Sequence, residues 1–189
     1  MPCSLVVGLG NPGPEYRRTR HNFGFLVLER WAERAGLSWK KAGFADAQIC
    51  ETEDGTRLVL PQSFMNRSGP VVQACLHWWK LDVSELVVLV DEIQLPLGRL
   101  RLRAEGSDGG HNGLASVESA LGTRRYARLR GGVGRPGEVS GDMVSHVLGN
   151  FSEEEWPRLE QALDRARNVV EIARKEGIPA AMSFGNRSS

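Results

Sequence analysis

The sequence predicts an α/β fold, with a single domain over residues 1–189 and a mixed, mostly parallel twisted sheet flanked by helices. Three observations support this prediction. Short aliphatic runs typical of buried strands alternate along the chain with amphipathic stretches typical of helices. A length of 189 residues suits one domain with its own core. No internal repeat, low-complexity tract or long linker divides the chain.

Five strands and four helices account for most of the pattern. Aliphatic or alternating runs predict strands at residues 4–7, 58–60, 86–90, 97–103 and 127–133. Apolar residues at helical spacing predict helices at residues 23–35, about 68–80, 114–121 and 153–175. The run 86–90 is the clearest buried strand, because all five residues are aliphatic. Residues 183–189 are expected to fray, and the sequence leaves open whether residues 137–155 move as a lid.

Composition and cysteine spacing narrow the class of protein. Hydrophobic residues make up 41% of the chain and charged residues 25%, which is typical of soluble globular proteins. Cys3, Cys50 and Cys75 are widely spaced and odd in number, so we expect small core residues in a reducing cytosol rather than disulfides or a zinc site. The sequence shows no signal peptide and no run near the roughly 20 apolar residues of a membrane span. We therefore expect a cytoplasmic protein with no membrane partner.

One segment of the chain is distinctly basic. Residues 96–135 carry eight basic and three acidic groups, although the net charge of the whole chain is only +1. Leucine and arginine alternate in the predicted strand 97–103, which places three arginines on one face: Arg99, Arg101 and Arg103. Guanidinium groups pair with phosphates in a bidentate manner, so these residues, with Arg128 and Arg130, are candidates for RNA contact. A solvated surface without a ligand would give the same count.

A glycine-containing loop follows the first predicted strand. Residues 8–13 have the sequence Gly-Leu-Gly-Asn-Pro-Gly and match the G-x-G-x-x-G pattern of dinucleotide-binding loops. Pro12 and Pro14, however, fall where the helix that binds pyrophosphate would have to run. We therefore expect a rigid, extended loop that leaves Asn11 at the carboxyl end of the strand. A turn asparagine without a role in binding is an equally simple interpretation.

His21 and Asp91 are candidates for proton transfer. A histidine titrates near neutral pH, so His21 can accept a proton from water and return it. Asp91 follows an aliphatic strand, and open α/β sheets place their sites at the carboxyl ends of strands. A carboxylate there can accept the second ring proton of a histidine and fix its tautomer. The structural alternatives are a packing role for His21 and a helix cap or turn for Asp91.

Two further loops precede predicted helices. Residues 106–113 contain four glycines together with His111 and Asn112. Exposed amides at a helix N-terminus attract a phosphate or a developing oxyanion, which favours a functional loop. Residues 63–69 include Asn66, whose amide either orients a substrate carbonyl or caps the helix that follows.

Taken together, five blocks of sequence resemble the bacterial peptidyl-tRNA hydrolase family. The first block contains VGLGNPG and TRHNFG, and the other four contain FMNRSG, DE with LPLG, GGHNGL, and RLR with GRP, in that order. The resemblance spans residues 5–150, and the predicted terminal helix is where the family has one. It implies a single α/β domain that acts as a monomer, without a cofactor or a metal, on the acceptor end of peptidyl-tRNA.

The resemblance also implies a role for each matched residue. His21 would be the base that activates water, held by Asp91, and Asn11 would place the scissile ester or polarise its carbonyl. The cleft for the peptide and the terminal adenosine would be lined by Tyr16, Met65, Asn66, His111 and Asn112. The implied reaction hydrolyses the ester between a peptide, or another N-blocked aminoacyl group, and the 3′-terminal ribose of tRNA. This would recycle tRNA from peptidyl-tRNA that ribosomes have dropped.

Three positions depart from the family pattern. Leu60 and Ala115 stand where the family often has lysine, and Gln94 stands where it often has aspartate. These departures bear on tRNA affinity and leave the identity of the base unaffected. The three arginines of the predicted strand 97–103 would compensate for a weaker phosphate contact near residue 115.

Two other functions agree with parts of the sequence. An RNA-binding module that keeps the fold without hydrolysis, like a plant organellar splicing offshoot that resembles the family, is disfavoured by the intact Asn11, His21, Asp91 and Asn112. A nucleotide-dependent enzyme is disfavoured by the two prolines in the loop after the first strand.

Overall fold

The computed structural model describes residues 3–135 and 142–187, in which seven strands form one sheet with helices on both faces. The strands are β1 (Leu5–Gly8), β2 (Lys40–Lys41), β3 (Ala47–Glu51), β4 (Arg57–Pro61), β5 (Leu86–Glu92), β6 (Leu100–Arg103) and β7 (Ala127–Gly132). The helices are α1 (Phe23–Arg34), α2 (Ser68–Trp79), α3 (Asn112–Leu121), α4 (Met143–Leu148), α5 (Trp156–Glu176) and α6 (Ile178–Gly185). The predicted fold class is confirmed, although the sequence pattern missed β2, β3, α4 and α6.

The sheet is mixed, with a parallel centre and antiparallel edges. Its strand order is β2-β3-β4-β1-β5-β7-β6. The neighbouring pairs β4–β1, β1–β5 and β5–β7 are parallel, whereas β2–β3, β3–β4 and β6–β7 are antiparallel. Because β5 pairs on both sides and is covered on both faces, its first five residues are aliphatic without alternation.

Successive residues of the central strands enter two separate cores. On one face, Val6, Val87 and Leu89 pack with α1, α5 and α6. On the other face, Val7 and Val88 pack with α2 and α3. A shift of one residue in pairing would exchange the two sets, so this burial fixes the register. The same register brings the carboxyl ends of the parallel strands to one edge of the sheet.

The alternating strand is shorter than predicted. β6 begins at Leu100 because Gly98, with a φ of 90°, and a hydrogen bond from the N–H of Arg99 to the carbonyl of Pro96 form a turn just before it. Within β6 the predicted alternation holds, since leucines are buried and arginines exposed.

The C-terminal segment is folded further than predicted. Ala181 in α6 is fully buried, and the side chain of Asn186 accepts a hydrogen bond from the N–H of Leu102 and donates one to its carbonyl. This amide pairs with the free edge of β6, so the expected fraying from residue 183 is wrong through residue 186. Residues 188–189 lie outside the described residues.

Part of the segment 137–155 packs against the turn that carries His21. The N–H of Arg20 donates to the carbonyl of Gly149, and its guanidinium group binds the carbonyl of Asn150 and both carboxylate oxygens of Glu155. The rest of the segment for which the sequence left lid motion open, residues 137–141, lies outside the described residues.

The three cysteines are buried core residues, as expected. Burial raises the pKa of Cys3 and Cys75 to about 12 and that of Cys50 to about 11, which keeps each thiol protonated at neutral pH. Among the described helices, none has the combination of length and apolar character needed to cross a bilayer.

A close backbone approach sets the position of α1. A Cβ atom on Gly8 would lie 2.3 Å from the carbonyl oxygen of Gly24, and one on Gly24 would lie 2.4 Å from that of Leu89 and 2.5 Å from the nitrogen of Leu9. The first turn of α1 therefore touches the backbone of β1 and β5 directly. This contact seats the turn carrying His21 against the strand edge.

We expect Gly24→Ala to lower the free energy of unfolding by about 3 kcal/mol, because the new methyl group meets backbone atoms that cannot move aside. Alanine favours helix over glycine, so a loss must come from this contact. Gly43→Ala is the matched control, since nothing lies within 4 Å of its Cβ position. Urea denaturation of both variants checks the prediction, and equal stabilities would refute it.

Candidate active site

The candidate site lies where three parallel strands end. β1 leads into the loop that contains Asn11, β4 leads into the turn that contains Met65, and β5 ends with Asp91 and Glu92. Open α/β sheets place ligands at such an edge. No helix begins in the loop after β1: a short 3₁₀ turn, Pro14–Tyr16, follows it, and α1 starts only at Phe23. This is the extended loop expected from the two prolines.

His21 and Asp91 are hydrogen-bonded to each other. Nδ1 of His21 lies 2.9 Å from Oδ1 and 3.1 Å from Oδ2 of Asp91. The carboxylate is almost fully buried, whereas 13% of the His21 side chain remains exposed. An ionised carboxylate only accepts hydrogen bonds, so Nδ1 carries a proton, and in the neutral form of the ring Nε2 has the free lone pair. This tautomer is the one that a general base requires.

A second histidine shares the same carboxylate. Nε2 of His111 lies 2.8 Å from Oδ1 of Asp91, while its Nδ1 accepts hydrogen bonds from the N–H groups of Gly113 and Leu114 at 3.1 and 3.3 Å. His111 thereby caps α3, and its proton must be on Nε2. The ring centroids of His21 and His111 lie 5.1 Å apart. His21 thus donates to Asp91 from Nδ1 and His111 donates to it from Nε2, so one carboxylate accepts from both rings.

The environment of Asp91 keeps its carboxylate ionised. Burial acts to raise its pKa, but the electrostatic interaction with His111 and the hydrogen bonds from His111 and His21 outweigh burial, so the pKa lies well below its ordinary value. The ligand atoms of these three residues also lie within 4.8 Å of one another, a spacing found in metal sites. Here those atoms already share protons in hydrogen bonds, so we assign them to a hydrogen-bonded triad.

Asn11 is held in one orientation by its neighbours. Its Oδ1 accepts a hydrogen bond from the N–H of Met65 at 2.8 Å, so its amide NH₂ faces away from that contact. The NH₂ group has no partner among the described residues, and it is not sealed from solvent. A donor is therefore available in the loop after β1, at the strand edge where Asp91 lies.

Asn22 is a site residue to which the sequence assigned no role. Its side chain accepts from the N–H of Asn11 at 2.8 Å and donates to the carbonyl of Asn11 at 3.0 Å, and only 2% of the residue is exposed. One carboxamide thus joins the Asn11 loop to the turn that carries His21. Its position next to His21 in the TRHNFG string was the available signal.

The remaining candidates lie in the loop after β1, in the turn after β4 and at the start of α3. Met65 is buried, and its sulfur lies 2.5 Å from where a Cβ of Gly113 would be, so the glycine allows the turn after β4 to pack on the start of α3. Tyr16 lies edge-on to Phe64 with ring centroids 6.4 Å apart, and 56% of Phe64 is exposed. Two further candidates are exposed, and their side-chain amides have no hydrogen-bond partner among the described residues: Asn66 and Asn112.

Comparison with known proteins identifies the family. The sequence profile described as peptidyl-tRNA hydrolase matches residues 5–189. The chain belongs to the peptidyl-tRNA hydrolase family. It is similar to the peptidyl-tRNA hydrolase of Synechococcus sp. (strain JA-2-3B'a(2-13)), with 47% identity over 185 residues that cover 96% of this chain and 82% of the relative. It is 44% identical over 188 residues to that of Citrifermentans bemidjiense, covering 98% and 99% of the two chains.

Solved structures agree with this assignment. The peptidyl-tRNA hydrolase from Acinetobacter baumannii matches with a TM-score of 0.90 and 34% sequence identity, over 98% of this chain and 95% of that chain. The resemblance inferred from the five sequence blocks is confirmed, as is the expectation of a hydrolase fold.

Within this hydrolase fold, the basic segment divides into exposed and buried arginines. Arg101 and Arg103 are exposed on β6, and Arg99 is partly exposed just before it. Arg128 is only 1% exposed and forms an ion pair with Glu118 at 3.1 Å. The expectation that Arg128 contacts RNA is therefore wrong, because its guanidinium group is covered by protein.

Arg130 is an intermediate case. It pairs with Glu92 at 2.9 Å and keeps about a tenth of its side chain exposed, so only an edge of the guanidinium group can reach a ligand. Of the three departures from the hydrolase family pattern, Gln94 and Ala115 are exposed, but Leu60 is 4% exposed in the core. The concern that Leu60 weakens tRNA affinity is wrong for direct contact, since its side chain faces the core.

We expect Asn22→Asp to lower both hydrolysis and stability. The substitution removes a donor and leaves a carboxylate oxygen about 3 Å from the carbonyl of Asn11 in a buried position, at a cost of about 1–3 kcal/mol. The rate on N-acetyl-aminoacyl-tRNA should fall about tenfold or more as the Asn11 loop shifts. Asn168→Asp on the exposed face of α5 is the control and should change neither quantity. Rates and thermal midpoints matching the control would contradict the assignment.

Proposed function

We propose that this chain hydrolyses the ester bond between a peptide, or another N-blocked aminoacyl group, and the 3′-terminal ribose of tRNA. Membership of the peptidyl-tRNA hydrolase family supports the substrate class. The observation that carries the mechanism is the bond from Nδ1 of His21 to the buried Asp91, because it leaves Nε2 free to accept a proton.

His21 acts first as a general base and then as a general acid. Nε2 takes a proton from water as the water oxygen attacks the ester carbonyl, and Asp91 stabilises the imidazolium that forms. When the bond between the carbonyl carbon and the ribose oxygen breaks, the same proton passes to that oxygen. The products are a peptide with a free carboxyl group and a tRNA with a free hydroxyl. Proton transfer of this kind contributes roughly 10²- to 10⁴-fold in rate.

Asn11 supplies a donor for the developing oxyanion or for the carbonyl that precedes it. Its Oδ1 is occupied by the N–H of Met65 and its backbone is held by Asn22, so the NH₂ group has a fixed direction. A donor that is already oriented requires no reorganisation during the reaction. Such a group is typically worth about 10²- to 10³-fold in rate.

The peptide and the terminal adenosine bind in the surrounding cleft. The proposed contacts are Tyr16, Met65, Asn66, His111 and Asn112. The exposed amides of Asn66 and Asn112 have both donors and acceptors available for a peptide backbone. Contacts of this kind favour N-blocked chains over a free aminoacyl-tRNA, whose charged amine lacks the acyl group. His111 contributes through its hydrogen bond to Asp91 as well.

The chemistry of the ester explains why no nucleophilic serine is required. A ribose oxygen is a better leaving group than an amine, so water activated by a histidine and aspartate pair is sufficient. We propose that the chain acts as a single-domain monomer without a cofactor or a metal. Its partner would be the acceptor end of peptidyl-tRNA, and its compartment the cytoplasm, whose reducing conditions suit three free cysteines.

We expect His21→Ala to reduce kcat by about 10²- to 10⁴-fold, while tRNA binding and folding persist. Release of N-acetyl-aminoacyl groups from tRNA, measured with a metal chelator present, checks this expectation. His77→Ala is the control, because His77 is exposed at the end of α2. A folded wild-type chain that binds tRNA without releasing the acyl group would favour the RNA-binding module instead.

The pH profile tests the role of Asp91. Because the pKa of Asp91 lies below its ordinary value, the carboxylate is ionised at every pH above about 4 and contributes no titration between pH 5 and 8. We therefore expect kcat/KM to rise with pH along one limb as an imidazole loses its proton. Asp91→Asn should lower the plateau about tenfold or more, and an unchanged plateau would remove Asp91 from the mechanism.

We propose that Arg99, Arg101 and Arg103 contact the tRNA backbone, with Arg130 offering an edge. Arg101→Ala and Arg103→Ala should each reduce the slope of log affinity against log salt by about 1. Lys175→Ala, in an exposed position near the end of α5, is the control. If a steep salt dependence survives both arginine variants unchanged, these residues do not compensate for the missing lysine at position 115.

A further inference from the structure

Four arginines occupy one face of the sheet at its β6 edge. In the antiparallel pairing of β6 with β7, Arg101 lies opposite Arg130 and Arg103 lies opposite Arg128. Residues paired in this way point to the same side of a sheet. The two on the edge strand are exposed, but the two on β7 are largely buried. Contact with phosphate therefore does not explain Arg128, and it involves only the exposed edge of Arg130.

Arg128 is surrounded by acceptors from the protein itself. Its Nη1 donates to the carbonyl of Gly106, to that of Ser107 at 3.3 Å and to the carboxylate of Glu118 at 3.1 Å. Its Nη2 donates to the carbonyls of Arg124 and Tyr126 at 2.8 and 3.3 Å. The guanidinium group also lies over the ring of Tyr126, 4.1 Å from its centroid. One buried cation thus joins the glycine-rich loop, residues 106–111, to α3 and β7.

Arg130 adds two contacts to the same loop. Its Nη2 donates to the carbonyl of Ser107 at 2.8 Å and to that of Asp108 at 3.2 Å. Between them, the two arginines bind three consecutive carbonyls of the glycine-rich loop. That backbone is otherwise permissive, since Gly106, Gly109 and Gly110 all have positive φ values.

The end of the glycine-rich loop reaches the catalytic centre. His111 follows Gly110 directly, and its Nε2 donates to Asp91 at 2.8 Å. The same ring caps α3, whose first residue is Asn112. Arg128 holds the glycine-rich loop, and the position of this loop sets the positions of His111 and Asn112.

We propose that Arg128 is a positioning residue for hydrolysis, which holds the carbonyls of Gly106 and Ser107 so that His111 remains hydrogen-bonded to Asp91. This inference rests on the function proposed above, because it assigns Arg128 an effect through the triad. Arg128 does not touch the substrate. A buried guanidinium group whose contacts converge on a glycine-rich loop fixes that loop in one arrangement.

Arg128→Met tests the proposal against Arg103→Met, the exposed arginine paired with it in register. For Arg128→Met we expect kcat to fall about tenfold or more with a KM change of only a few fold, because the triad is misaligned in an otherwise assembled site. The salt dependence of tRNA binding should equal that of the wild type. For Arg103→Met we expect a smaller salt slope. Arg128→Lys, which keeps the charge and part of the donor set, should recover much of kcat.

A spectroscopic measurement separates positioning from general stability. In ¹⁵N-histidine spectra, wild-type His111 should show one tautomer with the proton on Nε2, and Arg128→Met should show an averaged signal. A reduced salt slope with unchanged kcat would overturn the proposal in favour of phosphate contact. A lower melting temperature with unchanged kcat and an unchanged His111 signal would overturn it in favour of a purely structural role.

Milder variants and a comparison with His21→Ala complete the test of Arg128. If Arg128→Met does not fold, Arg128→Lys and Glu118→Gln, which weaken the same contacts more mildly, are judged by the same kcat and His111 signals. His21→Ala in the same assay distinguishes failure of the proposed function from failure of the role proposed for Arg128. Full activity of His21→Ala would refute the proposed function, whereas loss of activity there with wild-type behaviour in all Arg128 and Glu118 variants would refute only the role of Arg128.

Discussion

The buried carboxylate of Asp91 is the constraint on which the candidate site depends. A charge at the covered end of a central strand is costly unless it is paired and hydrogen-bonded. Two histidines from distant parts of the chain meet this need, since His21 precedes α1 and His111 caps α3. The hydrogen bonds to Asp91 therefore fix the starts of α1 and α3 and the ring nitrogen from which each histidine donates. The lone pair left on Nε2 of His21 is a consequence of that pairing.

The elements around Asp91 are joined by backbone contacts that leave little freedom. The Gly8 and Gly24 approach seats α1 on β1 and β5, and the carboxamide of Asn22 ties the Asn11 loop to the turn before α1. The N–H of Met65 then sets the direction of the Asn11 amide. A donor and a base that are oriented before the substrate arrives need no rearrangement in the transition state. The rigidity of this strand edge thus serves the chemistry proposed for it.

The arginines at the β6 edge of the sheet are of two kinds, buried in ion pairs or exposed to solvent. Arg128 and Arg130 pair with Glu118 and Glu92 and bind loop carbonyls, so their charge is largely neutralised inside the protein. The positive field available to a phosphate comes instead from the exposed arginines of the edge strand. A count of basic residues in the segment 96–135 therefore overstates what RNA can meet. That count also does not reveal that Arg128 and Arg130 hold the glycine-rich loop in place.

The sequence by itself determined most of the elements and most residues of the candidate site. A continuous aliphatic run predicted the strand before Asp91, because that strand is buried on both faces. Apolar residues at helical spacing predicted the helices that pack on the sheet, because each helix buries one side. Short motifs located Asn11, His21, Asp91 and His111, because chemistry restricts residue type at those positions. Only the tertiary structure decided that Arg128 is buried, that Asn22 holds the Asn11 loop and that Asn186 pairs with β6. These outcomes depend on which strand forms an edge and which loop covers its neighbour, and such non-local contacts leave no periodic signal in the chain.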